Sequence, residues 1–103
     1  MVIKQQKVIT TQIFRKDSGV FVSKKSEEYQ KIMYIVKENF KYKENTTGTY
    51  KEFFANREKL LRQDIDVLIA SGSCIYWIVF KNEEDLNLFR LLTCDFLRVY
   101  ISV

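Results

Sequence analysis

The stretch CIYWIVFKNEEDLNLFRLLTCDFLRVYISV, residues 74–103, decides the fold class. Its opening run, up to Lys81, is apolar at odd and even positions alike, the pattern of a central strand covered on both faces. Asn82 then precedes Glu83, Glu84 and Asp85, an N-cap followed by carboxylates at the positive end of a helix dipole. Those consecutive acids point in different directions around a helix, so they cannot converge on one ion and are read as dipole-favoured first-turn residues. LNLFRLLTC continues the helix. Leu97, Val99, Ile101 and Val103 then alternate with Arg98, Tyr100 and Ser102, as in a closing strand. Such a β-α-β unit crosses over right-handed and places its two strands parallel in one sheet.

Upstream, QKVITTQIF (6–14) sets Ile9, Thr11 and Ile13 on one face and Val8, Thr10 and Gln12 on the other. Lys16-Asp17-Ser18-Gly19 is a turn and GVFV begins a second strand, so residues 4–23 read as a hairpin. Ser26 with Glu27 and Glu28 starts a helix of residues 26–40, whose apolar face is Tyr29, Ile32, Met33, Val36 and Phe40. Thr49 and Glu52 fit a capping box. A second helix is expected from there, with Phe53, Leu60, Leu61, Ile65, Leu68 and Ile69 as its buried stripe, Glu58 and Arg62 outward, and Gly72 just past its end. Asp64 and Asp66 are then solvated positions on that helix, and FKYKENTTGTYKEFF (40–54) is mainly the connection between two helices. The expected order is β-β-α-α-β-α-β. It describes one domain, residues 1–103: an α+β two-layer sandwich with a mixed four-stranded sheet and helices on at least one face.

Composition narrows the chemistry. There is no histidine, the commonest general base and metal ligand. Cys74 and Cys94 are too few and too far apart for a metal motif or a disulfide framework. No nucleophile–base pair can be named, so the expectation is a protein that is not an enzyme and uses no metal or cofactor. The N-terminus lacks a signal peptide's apolar stretch, and the longest apolar run, IYWIVF (75–80), is far short of a membrane span. A cytoplasmic location without membrane contact is expected.

Charge is uneven. Residues 1–43 hold ten Lys/Arg and four Asp/Glu, a net of +6, while residues 44–103 hold seven and nine, a net of −2. The asymmetry suggests an anionic partner for the first part. On the first helix, Lys31, Tyr34 and Lys37 face outward, with Lys41 continuing the stripe, Lys24 and Lys25 just before it, and Tyr42 and Lys43 just after it. These eight residues are the candidate partner- or nucleic-acid-binding surface. Arg98 and Tyr100, on the polar face of the last strand, are a second anchor pair. Tyr76 and Trp77, neighbours in the central strand, are expected on opposite faces as core residues.

Two functions compete. A protein-binding adaptor or inhibitor needs only an exposed basic and aromatic surface. A nucleic-acid-binding module using the first helix is supported by the +6 half and weakened by the scarcity of arginine, 5 against 12 lysines. Lys, Ile, Phe, Tyr and Asn dominate the chain, residues with AT-rich codons. In size and composition the chain resembles the small accessory proteins with which phages and mobile elements bind and disable host factors, including anti-defence inhibitors. That resemblance implies a steric mechanism, in which the basic face of the first helix covers an acidic surface of a host protein. A homodimer through an edge strand or helix face is the further arrangement that the sequence allows.

Overall fold

The computed structural model describes residues 8–45, 50–57, 59 and 64–102. Its elements are β1 (Ile9–Arg15), β2 (Val22–Ser23), α1 (Glu27–Asn39), β3 (Tyr42–Asn45), α2 (Tyr50–Asn56), β4 (Val67–Ser71), β5 (Cys74–Phe80), α3 (Glu83–Thr93) and β6 (Leu97–Ser102). The α+β class of the sequence reading holds. The strand count and order do not: a six-stranded mixed sheet runs β3-β4-β5-β1-β6, with β2 also paired to β5.

The final β-α-β unit lies in this sheet with its strands running the same way, since β5 and β6 are each antiparallel to β1. They are not neighbours. β1 fills the place between them, pairing Ile9 with Phe80 on one side and Arg15 with Leu97 on the other. The expected hairpin is also more elaborate. β1 leaves β5 after Thr11 and follows β6; a turn closed by Gly19 (φ 68°) then returns the chain, and Val22 and Ser23 take the next places along β5, opposite Ile75 and Cys74. Phe14 and Phe21 form the single bridge between the two arms.

The largest departure concerns the second helix. α2 ends at Asn56, and Val67–Ser71 is a strand buried at every position. β4 sits between β3, which it pairs in parallel, and β5, which it pairs antiparallel. Val67 and Ile69 enter the main core while Leu68 and Ala70 enter a smaller cluster on the other face. A strand buried on both faces carries no polar–apolar alternation, so Ile65, Leu68 and Ile69 mimic a helical stripe. Gly72 therefore does not end a helix; it belongs to the turn joining β4 to β5, where its amide donates to the Cys74 carbonyl at 2.9 Å. Thr49, Glu58, Leu60, Leu61 and Arg62 lie outside the described residues.

The 40–54 segment is likewise more than a connection, because it contains β3. Phe40 caps α1 in extended conformation (φ −138°, ψ 151°) and is itself buried. Lys41 then clasps Asp66: its amide donates to the Asp66 carboxylate at 3.0 Å, and its carbonyl accepts from the Asp66 amide at 2.7 Å. Asp66 is thus the hook that starts the β3–β4 pairing, not a solvated helix position.

α1 and α3 form as their sequences dictate. Ser26 Oγ accepts the Tyr29 amide at 3.2 Å and Asn82 Oδ1 accepts that of Asp85 at 2.9 Å, each satisfying one orphan donor of a first turn. Both helices cover one face of the sheet. Ile32 and Val36 from α1, and Leu86 and Phe89 from α3, meet Ile13, Ile75, Ile78 and Phe80 there. Each such fully buried side chain is worth about 1.5–3 kcal/mol of transfer free energy. α2 covers part of the opposite face through Phe53, so the sandwich has a partial third layer. Among the described residues no helix is long and apolar enough to cross a membrane.

Candidate functional site

The outer surface of α1 and α3 is the first candidate. Ile32 and Val36 fix α1 against the sheet, so Tyr34 is turned outward and is 67% exposed. Lys31 lies on the flank of the helix with its ammonium 5.2 Å from the centre of the Phe96 ring, a cation–π contact. Gln30, Lys31, Tyr34, Ile35 and Phe96 line an open groove of about 350 Å³. α3 packs beside α1 and buries Leu86 and Phe89. Leu88, Leu91 and Leu92 then fall on its outer side, Leu91 with 72% of its surface exposed. Three leucines at i, i+3 and i+4 on a solvent-facing helix surface form a patch of the kind that marks contact sites.

The predicted basic residues do not form one free patch. Lys24 pairs with Glu44 at 3.6 Å, and Lys41, which lies beyond the end of α1, pairs with Asp64. That contact holds the Lys41 ammonium above its ordinary pKa and the Asp64 carboxyl below its own, in each case through the hydrogen bond between them. Lys25, Lys37 and Lys43 are exposed, Lys43 on the edge strand β3. Tyr42 is partly buried against the main core. Tyr29, an expected core residue, donates from its hydroxyl to Glu44 at 3.0 Å; burial, and then this carboxylate, push its pKa up to about 12.

Arg98 and Tyr100 lie on the opposite side of the molecule, on the sheet face away from α1 and α3. Sequence pattern places them there, since Leu97 and Val99 enter the main core. On this face the rings form a continuous row. Centroid distances are 5.7 Å from Tyr100 to Phe14, 5.0 Å from Phe14 to Phe21, 5.5 Å from Phe21 to Tyr76 and 6.0 Å from Tyr76 to Trp77. Trp77 stacks on Phe53 at 5.5 Å, and Arg57 lies over Phe54 at 4.5 Å. The expectation that Tyr76 and Trp77 point to opposite faces fails because of a bulge. Ala70 pairs with Trp77 but Ser71 with Ile75, so one extra residue interrupts the alternation at Tyr76.

Sequence reasoning missed two things here. Five large apolar residues within 86–92, Leu86, Leu88, Phe89, Leu91 and Leu92, are more than one helix face can bury, and that excess was a readable sign of an exposed patch. The pairing of Phe14 with Phe21 and Tyr100 depends on strand order and had no local signal. No family model matches the chain, and no curated protein or solved structure is significantly similar to it.

Proposed function

We propose that this is a non-enzymatic binding protein that docks on a partner protein through the outer surface of α1 and α3 and inhibits or modulates it by covering the surface it occupies. The observation that carries the reading is the exposed apolar set of Leu88, Leu91 and Leu92 on α3 and Tyr34 on α1, the last lining the Ile35–Phe96 groove. Large apolar side chains left partly or mostly exposed on two packed helices gain further burial against a partner, which is favourable. Lys31 and Lys37 rim this patch, which fits an acidic partner surface with an apolar anchor for the groove. Such a docking mode suits an accessory protein acting by steric occlusion on a host factor.

The alternative, nucleic acid held by the basic face of α1, is less well supported by the geometry. Two of its lysines, Lys24 and Lys41, are engaged with carboxylates, and Glu27 and Glu38 are exposed on the same helix as Lys31 and Lys37.

Affinity capture from candidate host lysates with wild type and with Leu91→Lys tests the proposal. Leu91 is 72% exposed, so the substitution leaves the fold intact. Forgoing burial of that surface in a complex, at about 2 kcal/mol for a whole leucine, weakens binding about tenfold. A stoichiometric partner retained by wild type and lost with Leu91→Lys is the expected result. Equal retention by both proteins, or no partner in any host, refutes the proposal.

A further inference from the structure

We infer a second binding site, on the sheet face opposite α1 and α3, for single-stranded nucleic acid, with one nucleotide seated between Tyr100, Phe14, Arg98 and Lys16. The site is a cavity of about 420 Å³ lined by Phe14, Lys16, Asp17, Gly19, Arg98 and Tyr100, within the usual range for small-ligand pockets. Two kinds of side chain dominate its walls. Phe14 and Tyr100 supply aromatic surface, with Tyr100 51% exposed. Arg98 and Lys16 supply cations.

Charge favours an anion. Arg98 is exposed, and its guanidinium makes no hydrogen bond or ion pair with the described residues. Lys16 is steadied by donating to the Cys94 carbonyl at 3.2 Å, which uses one of its three donors and leaves its charge uncompensated. The one acid in the lining, Asp17, is held by Arg15 at 3.1 Å. A guanidinium next to a tyrosine ring suits a phosphate beside a planar base.

The lining also separates this site from the proposed protein-docking surface. That surface is mainly aliphatic, Leu88, Leu91, Leu92 and Ile35 together with Tyr34 and Phe96; here the apolar walls are rings alone, and the row continues past the cavity through Phe21 and Tyr76 with successive centroids 5.0 and 5.5 Å apart. A row of rings leading out of a cationic pocket extends the stacking surface beyond one nucleotide, which favours a strand over a free nucleotide. This arrangement, aromatic side chains on a sheet face with flanking cations, is how single strands are gripped without sequence readout.

The test is fluorescence anisotropy with labelled oligothymidylate and oligouridylate of about twelve nucleotides at about 50 and 200 mM salt. The proteins are wild type, Tyr100→Ala, Arg98→Glu and, from the other side of the molecule, Lys37→Glu, each checked for an unchanged melting transition. Wild type is expected to bind in the micromolar range at the lower salt. Tyr100→Ala weakens binding about tenfold, from loss of one stacking ring. Arg98→Glu weakens it and reduces the slope of log affinity against log salt by about 1. Lys37→Glu stays within about twofold of wild type, since it leaves the opposite face untouched. Absence of binding at about 100 µM protein and the lower salt overturns the inference. So does a loss in Lys37→Glu that Tyr100→Ala does not share. Thymidine or uridine monophosphate that displaces the oligonucleotide at equal nucleotide concentration overturns the strand assignment and makes a free nucleotide the ligand.

Discussion

Replacing Ala70 with lysine separates the two possible structures of residues 67–71. On a helix carrying Ile65, Leu68 and Ile69 inward, Ala70 falls on the solvent side, and lysine there costs no more than about 0.5 kcal/mol. In β4, Ala70 is 7% exposed and packs in the cluster of Phe53, Leu68 and Val79. Lysine must force a four-carbon stem into filled space, at about 1–3 kcal/mol. Leaving its ammonium buried and unpaired costs about 3–5 kcal/mol, and a side chain that reaches solvent recovers part of that. A net loss of about 4 kcal/mol follows, a large share of the 5–15 kcal/mol typical of a domain. Urea unfolding read by the single tryptophan, Trp77, suits the measurement, because its ring stacks on Phe53 of the same cluster. A shift worth less than about 1 kcal/mol would refute the burial of this face and the strand with it.

Three further outcomes are expected. Gly19→Ala costs about 1 kcal/mol in the same assay: at φ 68° a side chain is strained, although an added Cβ meets nothing within 4 Å, so the whole cost is conformational. An unchanged midpoint would place that turn in a different conformation. Thr11→Val costs about 1 kcal/mol by thermal or urea unfolding, because the buried Thr11 hydroxyl donates to the Ile78 carbonyl at 2.7 Å; equal or greater stability would mean that the bond contributes nothing. Tyr29 keeps its proton up to about 12 when folded and to about 10 when unfolded, so its contribution to stability is complete below pH 10 and falls as pH rises from 10 to 12. Tyr29→Phe should flatten that decline in urea midpoints measured across the same range, and parallel pH curves for the two proteins would contradict it.

The sequence was informative where structure is local. The caps at Ser26 and Asn82, the first-turn acids, the Gly19 turn and the inward face of α1 were legible because each depends on residues a few positions apart. The strands β3 and β4 were not. Tyr42–Asn45 has too mixed a composition to announce a strand, and it becomes one because β4 lies alongside and Asp66 clasps Lys41. β4 itself is hidden by its double burial. The candidate surfaces divide the same way. Tyr34, Lys31 and Lys37 could be assigned to an outer helix face from spacing alone, whereas the neutralisation of Lys24 and Lys41 and the meeting of Phe14 with Tyr100 depend on contacts distant in sequence.

The position of β1 also governs when the protein can assemble. This strand is the first of the described sheet to leave the ribosome, yet its two neighbours, β5 and β6, are the last, with Thr10 opposite Ser102. The middle of the sheet thus stays open until β5 and β6 have been made, and long-range pairings of this kind form slowly. Each half of the described chain carries an unfilled place that only the other can occupy, so the sheet is complete only once β6 has emerged and paired with the strand made first.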